Sequence, residues 1–318
     1  MNARGLATPH RVVVAGDANP DLVLRGDVVP RFGQAEQLLD AAELTIGGSA
    51  GIMACGLARL GVPVSLVAVV GDDLFGRETV ASLAAAGVDV SNIEVRAAAA
   101  TGLSIHLAVP GDRAILTLPG TIPELRAAAV RAAIEATDAR WLHIASPFLN
   151  PGVTAELPGL LAAARADGVG TSLDPNWDPA ERWTSLEPAL AALDVLLPNR
   201  AELAALAAVL VVAEGGTEQP AVLLAARGPR VVVKDGAEGG WSLDPAGVHA
   251  TAPGIHLDVV DTTGAGDSFD AGYLAAIAYG VTDEAERLRW ATVAGSLSTR
   301  DAGGTNGQAT LDELRAAL

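Results

Sequence analysis

Cys55 is the only cysteine in the 318 residues. A single thiol excludes an intrachain disulfide and any multi-cysteine metal site, and it fits a reducing compartment. Aromatic side chains are scarce too, at 3%. Alanine, valine and leucine must therefore fill the core of a chain that is half hydrophobic. No apolar run reaches the ~18 residues of a membrane span without meeting glycine, proline or charge. Met1 to His10 lacks an apolar core of signal-peptide length. A soluble, cytoplasmic protein is the expectation. Lysine and arginine number 21 against 38 acidic residues, a net charge of −17. That balance argues against nucleic acid or an anionic membrane surface as partner, because both need basic patches. No Gly-x-x-x-x-Gly-Lys-[Ser/Thr] loop is present, and no Gly-x-Gly-x-x-Gly follows the first apolar run. The first absence removes a Walker-type phosphate loop; the second argues against a nicotinamide dinucleotide site. None of the five histidines forms a ligand pair, and His143, inside an apolar run, reads as a core residue.

What the chain does have is alternation. Short β-branched runs recur at Arg11 to Gly16, Val64 to Val70, Trp141 to Ala145, Gly170 to Asp174, Asp194 to Pro198 and Val231 to Lys234. Alanine- and leucine-rich stretches of helical length lie between them, among them Ser49 to Leu60, Phe75 to Ala86, Pro123 to Thr137, Thr154 to Ala166 and Ala201 to Val212. Strands apolar on both faces, alternating with helices, predict an α/β fold with a parallel sheet covered on both sides. Ligands of such sheets bind beyond the strand C-termini. Leu22 to Thr45 and Thr101 to Thr121 break the rhythm with strand-like pieces and no helices. Ser104 to Pro110, a turn at Gly111-Asp112, and Arg113 to Leu118 read as a hairpin. These pieces are expected to form a small β-lid that excludes water, with two ordinary surface hairpins as the alternative. Val209 to Gln219 and Ala226 to Arg230 read as loop-rich.

Chemistry is expected at Asp261-Thr262-Thr263-Gly264-Ala265-Gly266-Asp267. The pattern reads as loop and then helix, the helix beginning near Gly264. A helix start offers unpaired N–H groups and the positive end of the macrodipole, and glycines let an anion approach them. Asp267 sits in the same turn, where it can accept a hydroxyl proton while the amides hold transferring negative charge. A plain glycine-rich helix start with an acidic first turn fits the same residues.

This stretch resembles the C-terminal signature of the ribokinase-like (PfkB) sugar kinases, and Gly47-Gly48 with Gly71-Asp72 resembles a second signature of that family upstream. The resemblance covers residues 11 to 318 and implies a three-layer α/β/α fold with a mostly parallel sheet. It implies one kinase domain over residues 1–318, with lid segments at about residues 21–47 and 101–121. It also implies transfer of the γ-phosphoryl group of ATP, with Mg²⁺, to a hydroxyl of a sugar or sugar-like acceptor. Asp267 would then be the base, and Gly264, Ala265 and Gly266 would stabilise the transferring group. Asn19, Asp21, Gly47, Gly48 and Ser49 would hold the acceptor. Asn199, Lys234, Gly236, Thr262, Ala294 and Ser298 would line the nucleotide, the last two in the adenine pocket. Glu202, through water, would organise magnesium. Asp261 and Thr263 would supply oxygens to a monovalent cation such as K⁺. The lid would support a homodimer.

Several of these residues have plainer readings. Asn19 and Asp21 suit a turn. Ser49 suits a helix cap, and Asn199 with Glu202 suits a capping box. Asp72-Asp73 reads as a tight turn with an aspartate cap. The chain also departs from the family at three places. Ile52 stands where the family has a substrate-binding asparagine, Ser146 where some members have glutamate, and Asp178 where an arginine meets acidic sugars. These departures favour a neutral sugar or a nucleoside as acceptor, and leave a non-catalytic sugar- or nucleotide-binding protein on the same fold as the rival. Trp177 and Trp183 are expected to pack beside the Asp174 loop.

Overall fold

A computed structural model describes residues 6–109, 112–184, 186–214 and 219–318. Its strands are β1 (Val12–Ala15), β2 (Asn19–Gly26), β3 (Leu39–Gly47), β4 (Val64–Gly71), β5 (Ile93–Arg96), β6 (Leu103–Val109), β7 (Asp112–Leu118), β8 (Trp141–Ala145), β9 (Gly170–Asp174), β10 (Val195–Leu196), β11 (Arg230–Lys234), β12 (Gly240–Leu243) and β13 (His249–Ala252). Its helices are α1 (Ser49–Arg59), α2 (Leu74–Ala85), α3 (Ala127–Thr137), α4 (Pro151–Thr154), α5 (Leu157–Ala166), α6 (Arg200–Glu214), α7 (Pro220–Ala225), α8 (Ala265–Ala278), α9 (Glu284–Ser298) and α10 (Leu311–Ala317).

The six expected β-branched runs all become strands of one sheet, ordered β13-β12-β11-β10-β9-β8-β1-β4-β5. Every pairing from β11 through β5 is parallel, and only β12 and β13 run antiparallel. Strand residues alternate between two cores. Val12, Val14 and Leu66 face α1, α8 and α9, while Val13, Val67 and Leu142 face α3, α5 and α6. The three layers follow from those doubly apolar strands. Tyr273 and Trp290 are the largest fully buried side chains, so the few aromatics are spent where α8 meets α9. That contact is close: a Cβ on Gly272 would meet the Trp290 carbonyl oxygen at 2.6 Å.

Three stretches differ from expectation. β5 and the β12–β13 hairpin lie at the sheet edges, where a half-exposed strand gives a weak apolar signal. α6 continues to Glu214, so Val209 onward is helix rather than loop, as its unbroken apolar composition allows; residues 215–218 lie outside the described residues.

The two irregular segments pair with each other as a second sheet, β3-β2-β6-β7. β2 and β6 run parallel and the other pairs antiparallel. This is the expected lid rather than two separate hairpins. The Gly111 half of its expected turn lies outside the described residues. Asp73 ties the lid's second segment to the core. Its carboxylate caps α2 by accepting the Gly76 N–H at 2.8 Å, and it accepts the Thr101 N–H at 2.9 Å and hydroxyl at 2.7 Å. Among the described residues no helix is long and apolar enough to cross a membrane.

Candidate active site

Parallel strands deliver their C-terminal residues to one edge of the sheet, and there the polar groups gather. Asp17 follows β1. Its carboxylate accepts the Ser49 and Ala50 amides at 3.1 and 3.2 Å and so caps α1. Asn19 and Asp21 open β2, both buried. The Asn19 amide donates to Asp21 Oδ1 at 3.1 Å, and His106 of β6 places Nε2 3.1 Å from Asp21 Oδ2. Two close approaches explain the adjacent glycines. A Cβ on Gly47 would fall 2.0 Å from Asp21 Oδ1, and Gly48, at φ 74°, would strike the Asp17 carbonyl at 2.7 Å.

Asp174 ends β9 and Lys234 ends β11, two strands apart. The Lys234 ammonium lies 2.6 Å from Asp174 Oδ2 and 3.2 Å from Asp270 Oδ2 of α8. Asn176 bonds Asp174, the Ser49 hydroxyl and the Ser146 amide, joining β8, β9 and α1. Burial alone would lower the Lys234 pKa, yet Asp174, Asp270 and Glu202 outweigh it and hold the ammonium firmly charged. Burial would raise Asp174, but Lys234 wins and keeps it ionised. Asp270 goes the other way: burial and the Asp174 charge push it well up despite Lys234. Lys234 was expected to line the nucleotide, approaching phosphate, or simply to end its strand; the structure turns its ammonium inward, behind the glycine turn, with its Cδ 3.5 Å from where a Gly266 Cβ would stand.

α8 begins at Ala265 with Gly264 as its left-handed cap, as expected. A Cβ on Gly264 would lie 2.7 Å from the Gly304 carbonyl oxygen and 2.9 Å from Ile52 Cγ2. Ile52 is thus a packing wedge between the turn and the Gly303-Gly304 loop. The Ala265 amide corrects one expectation, because it donates to the Thr262 carbonyl at 3.2 Å. No bond within the described chain claims the Gly264 or Gly266 amide, which leaves those two for an anion. Asp267 sits in the first turn, its carboxyl raised to about 8 by burial, then by the Asp174 charge; Lys234 and the neighbouring Ser49 oppose the rise.

Asn199 and Glu202 form the capping box. Asn199 Oδ1 accepts the Glu202 amide at 2.9 Å and Glu202 accepts the Asn199 amide at 2.8 Å. Glu202 is buried, and burial and Asp174 raise its carboxyl to about 7. Arg200 and Asp235 pair beside it, fastening this turn to the exposed Gly236 turn. No cluster of three or more potential ligands occurs among the described residues.

Four expectations need correction or restatement. Ala294 faces Gly272 within the α8–α9 contact, and the Ser298 hydroxyl donates to the Gly295 carbonyl at 2.9 Å, so both are core residues rather than a pocket lining. Asp261 accepts the Thr263 amide and hydroxyl and the Gly303 amide, and two arginines supply its counter-charge, so Asp261 and Thr263 fit a monovalent cation poorly. Asp178 spends its carboxylate on the Ala180, Arg182 and Trp183 amides, so it says nothing about the acceptor's charge. His143 is buried, with Nδ1 2.9 Å from the Ser172 hydroxyl and a pKa lowered to about 3 by burial, as a core histidine should be. Trp177 and Trp183 meet edge to face at 5.1 Å, as expected. Asp17, Asp174, Asp270 and His106 were not singled out. Only the position of the three aspartates beside strand ends or the glycine turn hinted at them.

Above this edge a cleft of about 930 Å³ opens between the lid and the loop from Val259 to Thr263. The pfkB family carbohydrate kinase model matches residues 9–311. The chain belongs to that family. This carbohydrate kinase is 33% identical to the ATP-dependent ribose-1-phosphate kinase of Halopiger xanaduensis, over 97% of its own length and 98% of the relative's. A ribokinase of Arabidopsis thaliana complexed with ribose and ATP superposes with a TM-score of 0.80 at 23% identity, covering 97% and 98% of the two chains. An E. coli protein described as ribokinase II, in complex with ATP and Mg²⁺, superposes at 0.82 and 23% identity over the same shares. Phosphoryl transfer from ATP to a sugar or sugar-like hydroxyl is the reaction of this kinase.

Proposed function

We propose that Asp267 removes the proton from the acceptor hydroxyl as its oxygen attacks the γ-phosphorus of ATP. The observation that carries this is one turn: Gly264 and Gly266 amides that no bond of the described chain claims, and a half-buried carboxylate on Asp267, next to the Asn19–Asp21 pair across Ser49 and Asp17. The amides stabilise the transferring charge. The raised affinity of Asp267 for a proton suits a base working near neutral pH. Asn19 and Asp21, with the open backbone at Gly47 and Gly48, hold and orient the acceptor hydroxyls. Ser49, donor or acceptor beside Asp267, orients the carboxylate. The nucleotide lies along the Asn199, Gly236 and Thr262 turns.

Glu202 fits magnesium as a buried carboxylate lacking a full counter-charge, reached through water. The ion, when bound with ATP, offsets phosphate charge. Lys234 acts through Asp174, fixing the field behind the turn. The lid, about residues 21–47 and 101–121, is part of one kinase unit over residues 1–318. Exposed Leu44, Leu116 and Leu118 on it support a homodimer through this sheet. The buried, lone Cys55 thiol supports a cytoplasmic setting.

The test is release of ADP from ATP and Mg²⁺ across a panel of sugars, sugar phosphates and nucleosides, with Asp267→Asn alongside. The variant should lose roughly 10²–10⁴ in turnover, the usual weight of a general base, and still bind nucleotide. Turnover near wild type would remove Asp267 from this role; nucleotide binding without transfer to any acceptor would favour the binding-protein reading.

A further inference from the structure

Strand β6 of the lid turns two polar side chains toward the Asn19–Asp21 pair. Register sets Ser104 opposite Asp21 and His106 opposite Val23, so period-two alternation puts Asp21, Ser104 and His106 on one face of the lid sheet. Ser104 Oγ lies 3.4 Å from the Asn19 amide nitrogen and 3.2 Å from the Thr117 hydroxyl of β7. His106 leans back along the strand, its Nε2 3.1 Å from Asp21 Oδ2. Both partners are buried, Asp21 at 4% exposure and His106 at 5%.

The direction of the His106 bond follows from what each group can do. An ionised carboxylate only accepts, so Nε2 carries the hydrogen, and in the neutral ring Nδ1 then keeps a bare lone pair. That Nδ1 is buried and meets no donor among the described residues. For packing alone, leucine or valine would suit this lid position better, because neither leaves a bond unmade. The one polar atom of His106 with a partner is the one on Asp21. Asp21 Oδ1 in turn takes the Asn19 amide at 3.1 Å, and the bare backbone of Gly47 closes against the same oxygen. Each oxygen of the carboxylate thus holds one protein donor. Two such bonds fix the plane of the group and aim its remaining lone pairs.

We infer that His106 is a positioning residue of the acceptor site, its Nε2–H holding the Asp21 carboxylate in the orientation that receives the acceptor's hydroxyl hydrogens. This rests on the reading above, in which Asn19 and Asp21 hold the acceptor. His106 acts through Asp21 and touches no reacting atom. The lid then shapes the acceptor site from within, through β6, as well as covering it.

The experiment compares wild type with His106→Phe, His106→Gln, Asp21→Ala and the double variant His106→Phe with Asp21→Ala. Phenylalanine keeps a ring and loses the donor. Glutamine loses the ring, but its amide N–H reaches about as far as Nε2. KM for acceptor and for ATP is measured with ribose, fructose and adenosine, calorimetry follows binding of the same three, and melting curves check folding. His106→Leu takes the place of the phenylalanine variant if that one melts early. In His106→Phe the acceptor KM should rise on the order of tenfold and the ATP KM by no more than about twofold, because one charge-assisted hydrogen bond is lost. Glutamine should recover most of that loss. In the double variant the acceptor KM should match Asp21→Ala alone, since the two residues act as one unit. An unchanged acceptor KM in His106→Phe, equal rises for acceptor and ATP, or glutamine no better than phenylalanine would overturn the inference. An acceptor KM unmoved by Asp21→Ala would instead remove the acceptor from the Asn19–Asp21 pair. Histidine ¹⁵N spectra of the ligand-free protein need no acceptor. The His106 signal, assigned by its loss in His106→Gln, should show hydrogen on Nε2 and should shift in Asp21→Ala; a bare Nε2 would overturn the bond itself, even if none of the three compounds is phosphorylated or bound.

Discussion

Lys234 sets its ammonium 2.6 Å from Asp174, and this one cation is also felt by three further carboxyls, on Glu202, Asp267 and Asp270. Removing the cation strands the anions. Lys234→Met should cost about 3–5 kcal/mol, the toll for breaking a buried pair. The loss should shrink below pH 6, where the orphaned carboxyls take up protons. Denaturant melts at pH 5 and pH 8 would show it. Equal loss at both would mean that packing, not charge, sets the effect.

Asp267 makes stability and activity run in opposite directions with pH. Its folded pKa, about 8, lies above the unfolded value of 3.8. The unfolded chain therefore gives up this proton first, and stability falls as pH rises from about 4 to 8. Asp267→Asn removes that slope. The ligand-free variant should melt at or above wild type at pH 8, with the gap narrowing toward pH 4. In wild type, kcat/KM should climb with pH toward a limb near 8, because the base must be ionised. A flat profile between pH 6 and 8 would argue against Asp267 as the proton acceptor.

The two free glycines of the turn have different constraints. Gly264 needs φ 69° and has the Gly304 carbonyl 2.7 Å from any Cβ, whereas the nearest atom to a Gly266 Cβ is Lys234 Cδ at 3.5 Å. Gly264→Ala should destabilise by at least ~1–2 kcal/mol, from left-handed strain plus the clash. Gly266→Ala should leave the melting temperature within about 2 °C, a few tenths of a kcal/mol in a chain this size. Thermal melts of the pair test the contrast directly.

Glu202→Gln keeps an acceptor for the Asn199 amide but removes the charge. The Mg²⁺ concentration for half-maximal rate should rise on the order of tenfold, the usual penalty for losing an outer-shell partner. Melting should change little. An unaltered Mg²⁺ requirement would leave Glu202 as a helix cap alone.

The sequence made the parallel core legible because its strands are apolar on both faces and punctuated by glycine, and it made the start of α8 at Gly264 legible because a glycine-rich loop before a long apolar run marks a turn into a helix. Lys234 shows where such reasoning stopped. A lysine at a strand end looks the same whether it points outward to phosphate or inward to Asp174, and only the placement of β9 beside β10 and β11 decides. Ala294 and Ser298 were misjudged for a similar reason: small residues suit both a pocket wall and a tight helix contact. Asp21 and His106 lie far apart in the chain and meet only once β2 pairs with β6, a register no local pattern specifies.

Asp73 binds Thr101 with the same carboxylate that starts α2. The root of the lid's second segment is therefore welded to a core helix. A change at Asp73 would therefore be felt in two places at once, at the first turn of α2 and at the stretch that leads into β6.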